Sequence, residues 1–265
     1  MGYSHWIYSM GVRGLLSYVK KRVPLLQPKD CEPMRIGVDV HGLLYTWQDD
    51  MDSFTRFVNE FGQSGHTLIF VFDGEAAEEK KDFLRERRKR REQAALKAKA
   101  IQAFLDSKEG YELDEPSRIH LQREVQTLQK AAWYISKEYR ESILHRLKLK
   151  GIQYILAERE ADEVLVSLAR QKEINIILSS DMDFVRFGVN RIWVPWFQKD
   201  VFTVYDFDIP IFCDAEDIPI EGLKDVAELC NEVTPGEAFG IIRYYGSLEN
   251  KRKIHNHLNP DFRLL

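Results

Sequence analysis

The chain has 265 residues, 44% apolar and 30% charged, with a net charge of −4. That is enough for one large domain with a sizeable core, and the composition is that of an ordinary globular protein. No apolar run is long enough to span a membrane, and residues 1–9 lack the basic start and apolar core of a secretory signal. The cysteines Cys31, Cys213 and Cys230 are odd in number and show no CxxC spacing. This argues against a disulfide framework and a structural zinc site, and fits a reducing compartment. The charge is polarised: residues 76–99 carry ten Lys/Arg against five Asp/Glu. A basic segment on an acidic body points to a polyanionic partner.

In chain order, residues 11–22 read as a short amphipathic helix and 35–40 (RIGVDV) as a buried strand ending at Asp39. Residues 50–62 read as a helix closed by Gly62 and Gly65. Residues 67–73 (TLIFVFD) are the clearest strand, ending at Asp73-Gly74. A long charged helix follows over 78–105, too poor in apolar positions to be a core helix. A second helical stretch covers 117–147. Residues 152–156 form a strand leading to Glu160-Ala161-Asp162 and a helix over 163–171. Residues 174–179 form another buried strand, ending at Ser180-Asp181-Met182-Asp183. Residues 191–197 and 201–205 fit a hairpin or edge strands, with Pro195 arguing for an edge. From 217 onward the pattern is helical, interrupted at Thr234-Pro235-Gly236 and Gly246.

Strands alternating with helices imply an α/β fold: a largely parallel central sheet with helices on both faces. Ligands bind beyond the carboxyl ends of such strands. Asp39, Asp73, Glu160, Asp162, Asp181 and Asp183 all fall there. Mg²⁺ takes one or two carboxylates plus water and phosphate oxygens, so two ions acting on a phosphodiester need several acids from separate strands. The i, i+2 spacing within 160/162 and 181/183 puts both carboxylates on one face of an extended segment. Taken singly, each of these acids reads equally as a helix cap or turn residue. Repetition at successive elements favours the metal reading.

Those residues sit in segments that resemble the structure-specific 5′ nucleases of the flap endonuclease type. The matching segments are Met10-Gly-Val-Arg-Gly-Leu15, Val38-Asp-Val-His-Gly-Leu-Leu-Tyr45, Val71-Phe-Asp-Gly74, Glu160-Ala-Asp162 and Ser180-Asp-Met-Asp-Phe184. Their order and spacing agree with the family from residue 10 to about 250. The resemblance implies a 5′-nuclease/PIN-like fold as a single nuclease domain over 10–265. Within it, 78–145 would be a helical arch and 217–265 a helix-hairpin-helix. The family's start matches Met10, so residues 1–9 count as an N-terminal extension.

The resemblance also assigns roles. Lys80 and Arg87 would approach the scissile phosphate, and i, i+7 spacing puts them on one helical face. Asp73 and Asp181 would be catalytic metal ligands, and Asp225 would be a seventh acid. Tyr45 would stack on the terminal base, although a core aromatic fits as well. Gly11 would lie close to the DNA. Arg88, Lys89, Arg90, Arg91 and Lys137 would contact backbone phosphates, although a solvated helix face or a nuclear-import patch also suits the basic run. Pro235 and Gly236 would hold duplex backbone through main-chain amides. Val233 and Glu237 replace the family's hairpin glycine and lysine, weakening duplex grip and the K⁺ site associated with that hairpin.

The expected cofactor is two Mg²⁺, with Mn²⁺ able to substitute. The expected substrate is DNA with 5′ flaps, nicks or ends, handled by a monomer in the nucleus or at a viral replication site. No QxxLxxFF-like clamp-binding segment is present. RNA cleavage would use the same acids, and no reader of the 2′-hydroxyl distinguishes it. A non-catalytic nucleic-acid-binding relative is the third reading, and the retained carboxylates argue against it.

Overall fold

The computed structural model describes residues 12–48, 50–75, 81–198 and 201–258, without the side chains of 198 and 254–258. The 1–9 segment lies outside these residues. The chain forms α1 (Leu15–Lys20), β1 (Leu25–Leu26), β2 (Arg35–Asp39), α2 (Val40–Trp47), α3 (Met51–Gln63) and β3 (Thr67–Phe72). Next come α4 (Lys81–Leu105), α5 (Lys108–Tyr111), α6 (Glu115–Ala132), α7 (Lys137–Leu149), β4 (Gln153–Leu156), α8 (Ala161–Arg170) and β5 (Ile176–Leu178). A 3-10 turn at Met182–Phe187 leads to β6 (Arg191–Gln198), β7 (Val201–Asp208), α9 (Ile209–Ala215), α10 (Gly222–Leu229), α11 (Pro235–Tyr245) and α12 (Leu248–Leu258).

The seven strands form one sheet in the order β1-β7-β6-β5-β2-β3-β4. From β6 through β4 neighbouring strands are parallel, while β7 is antiparallel to both β6 and β1. From β2 the chain steps to β3 and then β4 on one side, and then returns to lay β5 against the other side of β2. The strand order therefore reverses between β2 and β5, which opens a crevice at their carboxyl ends.

Side chains alternate across this sheet, and both faces are buried. Ile36, Val38, Phe70, Phe72, Ile176 and Leu178 pack with α2, α3 and α7. Ile69, Val71, Ile177 and Ile192 pack on the other face with α1, α8, α10 and α11. Gly37 lies where a Cβ would come 2.5 Å from Ile174 Cδ1 and 2.7 Å from Leu165 Cδ2. Glycine thus lets α8 and its following loop close onto β2.

Three sequence expectations need correction. The stretch read as one helix over 117–147 is two. It breaks at Trp133, and Ser136 starts α7 by accepting the Tyr139 N–H at 3.1 Å. Ile143 and Leu147 of α7 are fully buried against the sheet, so the projecting region ends near 132, not 145. Pro195 does not mark an edge strand, because β6 is interior. Its partner β5 pairs only with Ile192 and Trp193, so at Pro195 the ladder on that side has already ended and no N–H is needed there.

The projection is a hairpin of α4 packed along α6. At 25 residues α4 is about 37 Å long. Ala98, Leu105 and Val125 are buried in its seam, and Lys97 meets Glu124 at 2.7 Å across it. Among the described residues no helix is long and apolar enough to cross a membrane. The three cysteines are free thiols, and burial pushes Cys213 and Cys230 up to about 11.

Gly74 is where β3 meets the segment before α8. Its N–H donates to the Arg159 carbonyl at 2.6 Å, and an added methyl would strike the backbone carbonyls of Ala157 and Glu158. Overpacking against backbone costs about 1–3 kcal/mol. Gly74→Ala is therefore expected to lower the urea midpoint by a corresponding amount at unchanged slope. An unchanged midpoint would mean that residues 157–159 can move aside.

Candidate metal centre and nucleic-acid interface

Asp39 ends β2 and stands at the start of α2. It is buried, and its Oδ2 accepts the Ser179 hydroxyl at 2.7 Å. Ser179 follows β5, so this bond spans the crevice between β2 and β5. The same Ser179 oxygen accepts the Asp181 N–H at 3.0 Å. One buried hydroxyl thus fixes two of the expected acids relative to each other.

Asp73 follows β3. Its Oδ1 accepts the Ala161 N–H at 2.7 Å, which binds the end of β3 to the start of α8. Its own carbonyl accepts from Arg140 of α7 at 2.8 Å. Its Oδ2 lies 2.8 Å from His41 Nδ1. Glu160 is the N-cap position of α8 without a capping side-chain bond, and Asp162 sits in the first turn.

The i, i+2 pairs are not extended, contrary to the spacing argument. Glu160 and Asp162 straddle a helix start, and Asp181 and Asp183 straddle the start of the 3-10 turn. Asp181 Oδ1 accepts the Asp183 N–H at 2.8 Å, while the Asp183 carboxylate meets Arg186 at 2.8 Å. Both pairs are therefore presented by helical first turns, whose free N–H groups favour carboxylates.

Electrostatics tie these acids together across four strand ends. Burial and then the charges of Asp39, Asp181, Asp73 and Glu160 push Asp162 up to about 8 from an ordinary 3.8. Burial also raises Asp39, and the charges of Asp73 and Asp181 add to it. The Ser179 hydroxyl and His41 act the other way.

Asp225, on α10, has a different partner. Its Oδ2 accepts the Leu248 N–H at 2.9 Å, securing the start of α12. Among the described residues no three His, Cys, Asp or Glu side chains are arranged as they stand to hold a metal ion. The donors still suit a hard divalent cation that keeps part of its water, because they are carboxylate oxygens held together against repulsion. Gly42 lies beside Asp39. A Cβ there would sit 3.4 Å from Asp39 Oδ2 and 3.5 Å from Ser180 Oγ.

Lys80 and Gly11 lie outside the described residues. Arg87 is half-buried near the base of α4, 6.0 Å from the Tyr45 ring centre. Tyr45 packs edge-on against Trp133 at 5.2 Å, and Trp133 against Tyr139 at 5.7 Å, so Tyr45 is part of an aromatic wall between α2 and α6. The other basic residues of α4 point outward. Arg88 pairs with Glu92 at 2.9 Å, Lys89 and Arg90 with Glu86 at 4.0 Å, and Arg91 lies over Tyr134 at 5.3 Å. Lys137 pairs with Glu141 at 3.9 Å. Such exposed pairs are weak.

Pro235 begins α11 against Gly14, and Gly236 is exposed beside it. Glu237 is the N3 partner in a capping box with Thr234, at 2.9 Å from its N–H and 2.7 Å from its hydroxyl. The residue that departs from the family's lysine thus serves the helix start. Sequence reasoning missed Ser179, His41, Arg140 and Trp133. His41 alone carried a signal, two residues beyond Asp39.

With this geometry in view, the XPG I-region family model matches residues 151–228, from β4 through α10. Flap endonuclease 1-A of Physcomitrium patens is 27% identical over 200 residues, covering 71% of this chain and 46% of the relative. Flap endonuclease 1 of Mycosarcoma maydis is 26% identical over 293 residues, covering 95% and 71%. The chain spans about half the length of the first of these relatives. Among solved structures, the catalytic core of Rad2 in complex with DNA substrate superposes with a TM-score of 0.64 at 18% identity, covering 96% of this chain and 74% of that one. Flap endonuclease-1 from Methanococcus jannaschii gives 0.55 at 16%, covering 88% and 78%.

Asp162 makes the centre pH-sensitive. Its folded pKa lies above the unfolded value, so the folded state holds a proton that the unfolded chain releases between about pH 4 and 8. That contribution is complete at low pH and lost as pH rises toward 8. A divalent cation held by these acids would displace the proton and restore stability. Mg²⁺ should therefore raise the thermal midpoint more at pH 8 than at pH 5, and Asp162→Asn should flatten the difference. Equal stabilisation at both pH values would contradict this.

Proposed function

We propose that this chain, which belongs with the structure-specific 5′ nucleases of the flap endonuclease type, hydrolyses DNA phosphodiesters beside single-strand/double-strand junctions. It acts as a 5′-flap endonuclease and 5′→3′ exonuclease using two divalent ions. The carrying observation is the gathering of Asp39, Asp73, Glu160, Asp162 and Asp181 from four strand ends, where burial and then the charges of its neighbours push Asp162 up to about 8.

Mg²⁺, or Mn²⁺ in its place, would be held by these five acids and Asp183, supplying Lewis acidity at the attacking and leaving oxygens. The protein's own groups do the positioning. Ser179 keeps Asp39 and Asp181 in register across the crevice. Asp162 gives up its carboxyl proton as the site fills. Arg87, with Lys80, steadies the phosphate and offsets developing charge. Tyr45, braced by Trp133, offers a ring for the terminal base. Arg88, Lys89, Arg90, Arg91 and Lys137 hold the single strand on the α4–α6 hairpin, and Pro235 and Gly236 present hairpin amides to the duplex. Gly11 lets DNA backbone approach.

The DNA-bound form of the Rad2 core supports DNA as the substrate. The capping role of Glu237 makes K⁺ a minor contributor at the hairpin. The free thiols fit work in a reducing intracellular compartment.

Two variants test the assignment. Asp181→Ala and Asp73→Asn should each reduce cleavage of a 5′-flap substrate by about 10³-fold or more, while flap binding in Ca²⁺ by fluorescence anisotropy stays within about threefold. Retained cleavage in either variant, still abolished by EDTA, would refute the site. Arg87→Ala should lower kcat by about 10–100-fold with little change in binding.

A further inference from the structure

His41 stands in the first turn of α2, two residues beyond Asp39. Its Nδ1 lies 2.8 Å from Asp73 Oδ2. That nitrogen is shut off from water and yet makes no aligned hydrogen bond. Leaving a buried polar atom so is costly unless another partner takes it.

Two arrangements bring a nitrogen and a carboxylate oxygen this close. A hydrogen-bonded pair requires the N–H to aim at the oxygen, and here it does not. Two donors to one cation need no such alignment. Ligands at about 2.1 Å from an octahedral centre stand about 3 Å apart along an edge.

The surroundings favour the second arrangement. Asp73 Oδ1 is engaged by the Ala161 N–H, so the other oxygen is the one turned to the imidazole. Asp73 is also held through its carbonyl by Arg140. The His41 side chain is 32% exposed, which leaves room for a proton on Nε2 toward water and a bare Nδ1 toward the acids.

We infer that His41 Nδ1 is a direct ligand of the divalent cation beside Asp73, making the centre a mixed nitrogen–oxygen site. The inference rests on the metal-dependent function proposed above. Its consequence is metal choice. Mg²⁺ strongly prefers oxygen donors, whereas an imidazole strengthens binding of first-row transition ions. This chain therefore favours Mn²⁺ over Mg²⁺ more than carboxylates alone would.

The test is spin-echo electron paramagnetic resonance of the Mn²⁺-loaded full chain, unlabelled and with ¹⁵N-histidine, beside His41→Asn. The bound Mn²⁺ should show ¹⁴N modulation that becomes ¹⁵N coupling on labelling, which needs no variant to fold. In His41→Asn the nitrogen coupling should vanish. Mn²⁺ should then bind about tenfold or more weakly, and Mg²⁺ affinity should change by less than about threefold. Bound Mn²⁺ without nitrogen coupling in the wild type would overturn the inference alone, as would coupling that survives in His41→Asn. A chain that binds no Mn²⁺ would overturn both the inference and the function beneath it.

Discussion

Like charges held together at adjoining strand ends are the constraint on which the rest of this structure depends. The charges of Asp39, Asp73, Glu160 and Asp181 act against that of Asp162, and burial adds to the cost of charging Asp39 and Asp162. The fold withstands this with a few fixed bonds from groups that carry no net charge. The Ser179 hydroxyl bridges Asp39 and the Asp181 backbone, and the Ala161 amide grips Asp73. These hold the acids in place without neutralising them.

The sheet makes such bonds rigid. Its parallel core is buried on both faces, one packed by α2, α3 and α7 and the other by α1, α8, α10 and α11. Neither face can slide without exposing apolar surface, so the strand ends keep their relative positions. The reversal of order between β2 and β5 then does what no single loop could. It leaves the ends of two adjacent strands uncovered by a direct crossover, with Asp39 on one side and Asp181 on the other. Beyond the sheet, the α4–α6 hairpin is stabilised chiefly by its own seam, with its basic residues loosely paired to nearby glutamates. On the function proposed above, that surface would trade those weak pairs for a phosphate backbone.

Much of this was legible in the sequence. TLIFVFD and INIILS are apolar runs of strand length, and each is followed by acids, so the sheet and its acidic rim follow from periodicity and position. Other features left no pattern. The break between α6 and α7 falls in Trp133-Tyr-Ile-Ser136, with no glycine or proline to mark it. The short helix α2 is hidden by Gly42 in its middle, a residue that helices disfavour. Pro195 suggested an edge, because sequence cannot show that β5 stops short of it. The i, i+2 pairs were read as extended when helical first turns present them. Ser179 and Arg140 act through tertiary contacts alone, and nothing in their local sequence announces this.

The most direct measurement is cleavage of end-labelled 5′-flap, nicked and blunt duplexes by the wild-type chain, in Mg²⁺ and in EDTA. The account predicts cutting beside the flap junction in Mg²⁺, slower trimming from nicks and ends, and none in EDTA. No cleavage of any substrate in Mg²⁺, or cleavage that persists in EDTA, would contradict it.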